Sequence, residues 1–242
     1  MPESAPPKRA VVIVFPASNC DKEIGHALEH ILAWDVCFCP SHESTLPDAS
    51  LYVVPGGFSW GDYLRTGALA ARTPAIQALK KRNEQGCPIL AICNGFQILT
   101  EAGMLPGVLQ TNHALTFICA PQTLRVDSTH SLWTQAFPQG TCLSFPIAHH
   151  AGCYTADDAT LDALEKKHRV ILRYVDETGE THQDANPNGS CRAIAGLTNE
   201  QGNICALMPH PERALYPWHG STDGARFLSG FHQSLLKTAT SP

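Results

Sequence analysis

The chain of 242 residues is 43% hydrophobic and 16% charged, a composition typical of a globular protein with a sizeable core. Its net charge of −5 provides no basic surface of the kind that binds nucleic acid, so that class of function is not expected. The longest apolar runs, such as Ala10–Phe15, are too short to cross a bilayer.

The chain starts with a Pro-rich stretch, Met1–Lys8, that lacks the apolar core of a signal peptide. We expect a disordered tail over residues 1–8 and a single domain over residues 9–242. Most of the ten cysteines lie in apolar, strand-like runs, which favours buried reduced thiols and a cytoplasmic location. One loose grouping lacks the spacing of zinc ligands, so no metal site is expected there: Cys142, His149, His150 and Cys153.

Strand and helix patterns alternate in the first half of the chain. Four apolar runs predict strands, at Ala10–Phe15, Val36–Cys39, Leu51–Val54 and Pro88–Ile92. Apolar residues at helical spacing predict helices between and after them, at about 24–32, 63–71, 73–83 and 96–102. Alternation of this kind favours parallel strands joined by right-handed crossovers.

After Gly107 the pattern changes to short strand-like segments separated by turn signals. These segments are Leu115–Ala120, Thr141–Ile147, Arg169–Tyr174, Arg192–Gly196 and Ile204–Met208. A final amphipathic helix is predicted over Asp223–Leu236. We therefore predict an α/β fold whose central, mostly parallel sheet is flanked by helices and has antiparallel additions in the C-terminal half.

Cys93 lies where the apolar strand at Pro88–Ile92 runs into Asn94 and Gly95 and then into a helical pattern. This order is typical of a nucleophile elbow, a sharp turn that presents a reactive side chain at the carboxyl edge of a sheet. Unpaired N–H groups at the start of the helix would favour the thiolate form of the sulfur. The segment therefore indicates cysteine-based acyl chemistry.

A second informative segment, Met208–Arg213, contains a histidine between two prolines. Pro211 biases His210 toward extended backbone, in which residues i and i+2 face the same way. Glu212 can then hold one ring nitrogen of His210 while the other takes a proton from Cys93. An isolated His-x-Glu is more often a solvated turn, but the separate cysteine elbow favours a catalytic pair.

Two glycines, Gly56 and Gly57, follow the strand at Leu51–Val54. Paired glycines at a strand end let backbone N–H groups approach a ligand closely. Acyl transfer needs such donors for the developing oxyanion, and the N–H groups of Gly57 and Asn94 would serve. Taken alone, a Gly-Gly pair is usually only a turn, so it is the combination with Cys93 that indicates a site.

In this chain order the three features resemble the triad-type glutamine amidotransferases, which carry a Gly-Gly loop, a cysteine elbow and a C-terminal His-x-Glu. Within that family the chain is similar to the glutaminase subunits that serve purine biosynthesis. The segments that carry the match span nearly the whole chain: Phe15–Asp21, Pro55–Arg65, Cys93–Gln97, Pro146–His149, Asn186–Ser190, Met208–Arg213 and Gly220–Gly224.

The resemblance implies a class I glutamine amidotransferase fold, which is flavodoxin-like. It also implies that Cys93 is the nucleophile, His210 the base and Glu212 the partner that orients the base. The amides of Gly57 and Asn94 would form the oxyanion hole. The expected substrate contacts are Gln97, Gly56 and Phe58.

Several positions depart from the family pattern or have a structural alternative. Glycine is usual where Ala17 stands, an Arg-Phe pair where Thr116-Phe117 stands, and a Gly-Glu-Gly-Arg-like run where His150–Cys153 stands. None of these departures lies in the triad. Structural roles are the alternatives for two further residues: an exposed helix position for Gln97, and a buried or interfacial histidine for His149.

The resemblance implies hydrolysis of glutamine to glutamate and ammonia through a cysteine thioester, with no cofactor in this chain. The sequence contains no Gly-Lys pair and hence no P-loop for ATP. The resemblance implies that a separate synthetase subunit that uses ATP and magnesium, with a small bridging subunit, receives the ammonia. The alternatives are a glutaminase subunit of another amidotransferase, a cysteine peptidase or other amide hydrolase, and a non-catalytic binding module of the same superfamily.

Overall fold

The described part of the chain, residues 8–240 of a computed structural model, contains eleven strands and five helices. The strands are β1 (Arg9–Val14), β2 (Asp35–Pro40), β3 (Leu51–Val54), β4 (Ile89–Ile92), β5 (Val108–Gln110), β6 (Ile118–Val126), β7 (Cys142–His149), β8 (Cys153–Thr155), β9 (Val170–Val175), β10 (Ile194–Leu197) and β11 (Ile204–Leu207). The helices are α1 (Asp21–Leu32), α2 (Pro74–Glu84), α3 (Asn94–Glu101), α4 (Asp158–Lys166) and α5 (Asp223–Thr240). The predicted tail at 1–8 lies, except for Lys8, outside the described residues, and the single-domain assignment stays a prediction.

Nine of these strands form one sheet, in the order β2–β1–β3–β4–β11–β10–β9–β6–β7. The first five in this order run parallel to one another, and from β11 onward each strand is antiparallel to its neighbour. β5 and β8 form a separate antiparallel pair. The predicted α/β class, with antiparallel additions in the C-terminal half, is confirmed.

Burial along the strands explains this division. Every residue of β3, β4 and β11 is buried, as expected for central parallel strands that are covered on both faces. In β7, buried residues alternate with half-exposed ones, because one face packs on the core and the other does not. The central strands are thus the most deeply covered part of the sheet.

α1 and α5 pack side by side next to the sheet. On α5, Phe231 is fully buried and stacks on Trp133, with 3.8 Å between ring centroids. Trp34, just after α1, donates a hydrogen bond to His232 at 3.1 Å. Among residues 8–240, the helices are all too short or too polar to cross a membrane.

The helix predicted at 63–71 is wrong. The chain there forms bends and turns and ends in a short 3-10 turn at Ala70–Arg72. Leu64 and Gly67 have φ angles of 67° and 80°, which an α-helix excludes. At Gly67 a Cβ would lie 2.9 Å from the backbone nitrogen of Ile98, so close contact with α3 sets the path of this loop.

Two further elements differ from prediction. The strand predicted from Leu115 begins only at Ile118, because Leu115 has a φ of 54° and lies in a bend. Helix α4 was not predicted, since it buries only two apolar side chains, Leu161 and Leu164. Its start is fixed by Asp157, whose carboxylate caps the first turn.

α3 lies directly against the sheet at Gly95, where an added Cβ would lie 2.0 Å from the carbonyl oxygen of Val54. Gly95→Ala should lower the free energy of unfolding by about 3 kcal/mol, because the helix or the strand must shift to remove the overlap. Urea unfolding measures this loss.

Gly140→Ala is the matched control. Gly140 has a φ of 87° with open space around it, so an alanine there adds only backbone strain of about 1 kcal/mol. Equal losses in the two variants would contradict a close contact between α3 and β3.

Candidate active site

Cys93 lies at the junction of β4 and α3, with a φ of 50° and a ψ of −106°. Its N–H donates to the carbonyl of Leu207 at 2.7 Å, and its own carbonyl accepts from the N–H of Phe96 at 2.9 Å. A non-glycine residue in this conformation is strained, and strain of this kind is concentrated at functional sites. The sharp strand-to-helix turn expected at Cys93 is therefore present, with the sulfur 3.8 Å from the carbonyl oxygen of Ala148.

His210 and Glu212 follow β11 and reach the same edge of the sheet as Cys93, because β4 and β11 are parallel neighbours. His210 is extended, with a φ of −106° and a ψ of 91°, and its N–H donates to Pro146 at 2.8 Å. Its ring Nδ1 lies 2.6 Å from Oε1 of Glu212, and both side chains are buried. The structure thus brings Cys93 next to His210 and Glu212, although the cysteine is far from this pair in the sequence.

The charge on His210 is set by its two neighbours. Burial alone would lower the pKa of His210, but the charges of Glu212 and Cys93 outweigh burial and raise it to about 10. Nδ1 faces Glu212, and the buried Nε2 makes no hydrogen bond of normal geometry to any described residue. Nε2 is therefore the nitrogen that remains for exchanging a proton with the sulfur.

A second cysteine, Cys20, lies beside the same site. Its Sγ and the Cβ of Cys93 both lie within 3.5 Å of the point where a Cβ on Gly56 would stand. Burial raises the pKa of Cys20 to about 12, although Arg213, with its Nη2 3.3 Å from the sulfur, acts in the opposite direction. Cys20 therefore stays protonated. The sequence analysis did not identify Cys20 as a neighbour of the site, although it lies in the matched segment Phe15–Asp21.

The glycine loop and the start of α3 provide two free backbone donors. Gly57 has a φ of 127°, and a Cβ there would lie 2.8 Å from the nitrogen of Asn19, so only glycine fits. Within residues 8–240 no protein acceptor pairs with the backbone N–H of Gly57 or of Asn94. Both donors are thus open to a ligand.

Gln97 is buried, so its alternative as an exposed helix residue is wrong. Its Nε2 donates to the carbonyl of Ala151 at 2.5 Å, and its Oε1 accepts from Nδ2 of Asn94 at 2.9 Å. Phe58 is 40% exposed, and its ring centroid lies 6.4 Å from that of Phe117. A substrate contact by either Gln97 or Phe58 stays a prediction.

His149, at the end of β7, is a buried histidine rather than a surface one. Its Nδ1 lies 3.1 Å from Oδ1 of Asn112, and Gly152 leaves room for the ring, since a Cβ there would lie 2.2 Å from Cε1. Burial and the nearby charge of His210 lower the pKa of His149 to about 4. The ring is therefore neutral in the folded protein at physiological pH.

A family model of the CobB/CobQ-like glutamine amidotransferase domain matches residues 7–235 of this chain. The class that the fold and the site define is therefore that of the glutamine amidotransferases.

Curated relatives share one name, phosphoribosylformylglycinamidine synthase subunit PurQ. The protein from Zymomonas mobilis is 47% identical over 226 residues, which cover 93% of this chain and 98% of that protein. The protein from Acaryochloris marina is 46% identical over 225 residues, or 93% and 96% of the two chains. A chain in the structure of PurLQS from Thermotoga maritima is 40% identical, with a TM-score of 0.80 over 97% of this chain and 99% of that one. The chain thus belongs to the glutamine amidotransferase family, in the branch formed by the PurQ subunits.

Acid should destabilise the folded protein through His149. The imidazole takes up a proton near pH 6.5 when unfolded but only near pH 4 when folded, so stability is lost as the pH falls between these values. His149→Asn should remove this contribution, which is about 3 kcal/mol between pH 7 and pH 4. Urea unfolding at a series of pH values measures it, and parallel pH curves for the two proteins would contradict a neutral buried His149.

Proposed function

We propose that this chain hydrolyses glutamine to glutamate and ammonia, and that the ammonia serves a phosphoribosylformylglycinamidine synthase. One observation carries the proposal: Cys93 stands on a strained turn beside the buried His210–Glu212 pair. A nucleophile, a base and a carboxylate that orients the base are the parts needed for acyl transfer from an amide. The names of the curated relatives support the choice of synthase.

In the first half-reaction, the thiolate of Cys93 attacks the side-chain amide carbon of glutamine and forms a carbon–sulfur bond. The carbonyl oxygen becomes an oxyanion, which accepts hydrogen bonds from the backbone N–H groups of Gly57 and Asn94. His210 transfers its Nε2 proton to the amide nitrogen, the carbon–nitrogen bond breaks, and ammonia leaves. Glu212 stabilises the imidazolium throughout by its bond to Nδ1.

In the second half-reaction, water replaces ammonia as the partner of His210. The now neutral imidazole takes a proton from the water as its oxygen attacks the thioester carbon. The carbon–sulfur bond breaks, glutamate leaves, and the thiolate of Cys93 and the imidazolium are restored. No metal or organic cofactor is needed for either half-reaction.

Three residues beside the triad are proposed to contact the substrate. Gly56 has no side chain, and a Cβ there would lie 2.8 Å from Cε1 of His210, so glycine keeps the space beside the ring open. Gln97 lies one helical turn past the nucleophile, and Phe58, which directly follows the two glycines, has a side chain that is 40% exposed.

Ammonia release alone builds no new bond, so the chain needs a partner that activates the acceptor. Conversion of an amide to an amidine requires activation of an oxygen, and the sequence contains no P-loop for ATP. We place ATP and magnesium on a large synthetase subunit, joined to this chain with a small bridging subunit in the cytoplasm. The chain of PurLQS from Thermotoga maritima, which is similar over almost its full length, supports this assembly.

Cys93→Ala should reduce ammonia release from glutamine by at least about 1,000-fold, because no other group takes the place of a deleted nucleophile. Cys93→Ser should lose nearly as much, since a hydroxyl beside His210 is a much weaker nucleophile than a thiolate. A coupled assay of ammonia measures both rates.

Cys119→Ser is the matched control, because Cys119 is an exposed thiol and its loss should leave the rate unchanged. Full ammonia release by both Cys93 variants would exclude Cys93 as the nucleophile. If the unaltered protein cleaves peptides but releases no ammonia from glutamine, the result would instead favour a peptidase.

Glutaminase activity should be weak in the chain alone and about 5- to 150-fold stronger with the synthetase and bridging subunits, the range of a typical coupling between sites. Turnover of formylglycinamide ribonucleotide by the complex, with glutamine or with an ammonium salt, tests the transfer. Equal glutaminase rates with and without the partners would contradict the coupling.

A further inference from the structure

The end of β7 runs across the catalytic triad. Among the described residues β7 is the last strand of its sheet and pairs only with β6, so its other edge is free for further contacts. The carbonyl of Pro146 accepts from the N–H of His210 at 2.8 Å, and the carbonyl of Ala148 lies 3.8 Å from the sulfur of Cys93. The next residue of the strand, His149, therefore lies beside the reacting groups.

The ring of His149 is held in one tautomer by Asn112. Nδ2 of Asn112 donates to the carbonyls of Thr116 and His149, at 2.9 and 3.0 Å. Its Oδ1 accepts from the N–H of Gly152 at 3.0 Å. These bonds fix which end of the amide is the oxygen, and that oxygen lies 3.1 Å from Nδ1 of His149. An amide oxygen only accepts, so Nδ1 carries the proton and Nε2 of the neutral ring carries a lone pair.

This lone pair has no partner in the described part of the chain. His149 is 2% exposed, and its Nε2 is buried without a hydrogen bond. A buried acceptor is costly unless a ligand or a water molecule brings a donor to it. Burial and the nearby charge of His210 lower the pKa of His149 to about 4, so Nε2 stays an acceptor at physiological pH.

His210 provides the complementary group. Its Nδ1 faces Glu212, and its buried Nε2 has a proton to give when the ring is charged. The charge of His210 acts on His149, which places the two rings near each other. A proton donor and an acceptor together suit the nitrogen that leaves glutamine, because this nitrogen has a lone pair for the proton of His210 and N–H groups for His149.

We propose that Nε2 of His149 accepts a hydrogen bond from the leaving nitrogen of glutamine, first in the amide and then in ammonia, while His210 gives its proton to the same nitrogen. The inference rests on the proposed glutaminase function and adds a residue to its first half-reaction. His149 neither gains nor loses a proton; its hydrogen bond turns the lone pair of the nitrogen toward His210. A water molecule with a purely structural role is the competing partner of Nε2.

Two substrates separate a contact with the leaving nitrogen from a general disturbance of the site. L-Glutamine and the γ-methyl ester of L-glutamate form the same thioester with Cys93, but the leaving oxygen of the ester has no N–H group. His149→Asn removes the acceptor and keeps an amide that can donate to Oδ1 of Asn112. In this variant kcat/KM, which covers the steps up to departure of the leaving group, should fall by roughly 10- to 100-fold for glutamine and by less than about 2-fold for the ester.

His149→Gln is the conservative variant, since its side-chain oxygen can reach the position of Nε2. Its kcat/KM for glutamine should come within about 5-fold of the unaltered protein. The matched control is His168→Asn, at an exposed position after α4 with a φ of 54°, which asparagine tolerates, so both rates should stay unchanged. If His149→Asn does not fold, His149→Leu also lacks the acceptor and takes its place with the same expectation. All assays use the full-length chain with its partner subunits.

Equal losses on glutamine and the ester would overturn the contact, because they would show that Cys93 or His210 is displaced. Unchanged rates on both substrates would overturn it as well and leave a structural water as the partner of Nε2. A rate of His149→Gln on glutamine as low as that of His149→Asn would have the same consequence. Failure of the glutaminase function itself looks different: the unaltered protein would release no ammonia from glutamine.

Discussion

The parallel pairing of β4 with β11 is the constraint on which the site depends. It sets Ile92 opposite Leu207, and the N–H of Cys93 continues the ladder with a 2.7 Å bond to the Leu207 carbonyl. Cys93 therefore leaves the sheet where β11 ends, and the path beyond β11 leads within three residues to His210. Because one hydrogen-bond register fixes both strand ends, the sulfur and the imidazole share an edge although they are distant in the chain.

The cost of burying a charge gives each group near this edge its chemical state. For Cys20, burial outweighs the guanidinium of Arg213 that lies 3.3 Å from the sulfur, so its pKa rises and it remains a thiol. His210 is buried more deeply, but Glu212 lies 2.6 Å away and keeps the charged ring favourable. Asp62 has no such partner among the described residues, so burial raises its pKa to about 6. The same physical effect thus leaves a protonated thiol at Cys20, a charged imidazolium at His210 and a carboxyl group of raised pKa at Asp62.

Sequence patterns predicted the parts of the site that depend on neighbours in the chain. An apolar strand that breaks at Asn94 and Gly95 predicted the turn at Cys93, and the order His-Pro-Glu predicted the contact of His210 with Glu212. The helix predicted at 63–71 failed because contact with α3, not helical propensity, sets the backbone there. Asp62 was not singled out, since nothing in its neighbours shows that its oxygen would lack a partner.

By itself the sequence determined the fold class, the nucleophile turn and the family, since these follow from local hydrophobic periodicity, turn chemistry and motifs in a fixed order. Only the tertiary structure decided how the charges are distributed: that Gln97 is buried, that His149 is neutral, that Cys20 stays protonated and that Asp62 is unpaired. These states depend on which distant residues surround a group and on how much water they exclude. Burial and pairing are properties of the assembled structure, and no stretch of sequence contains them.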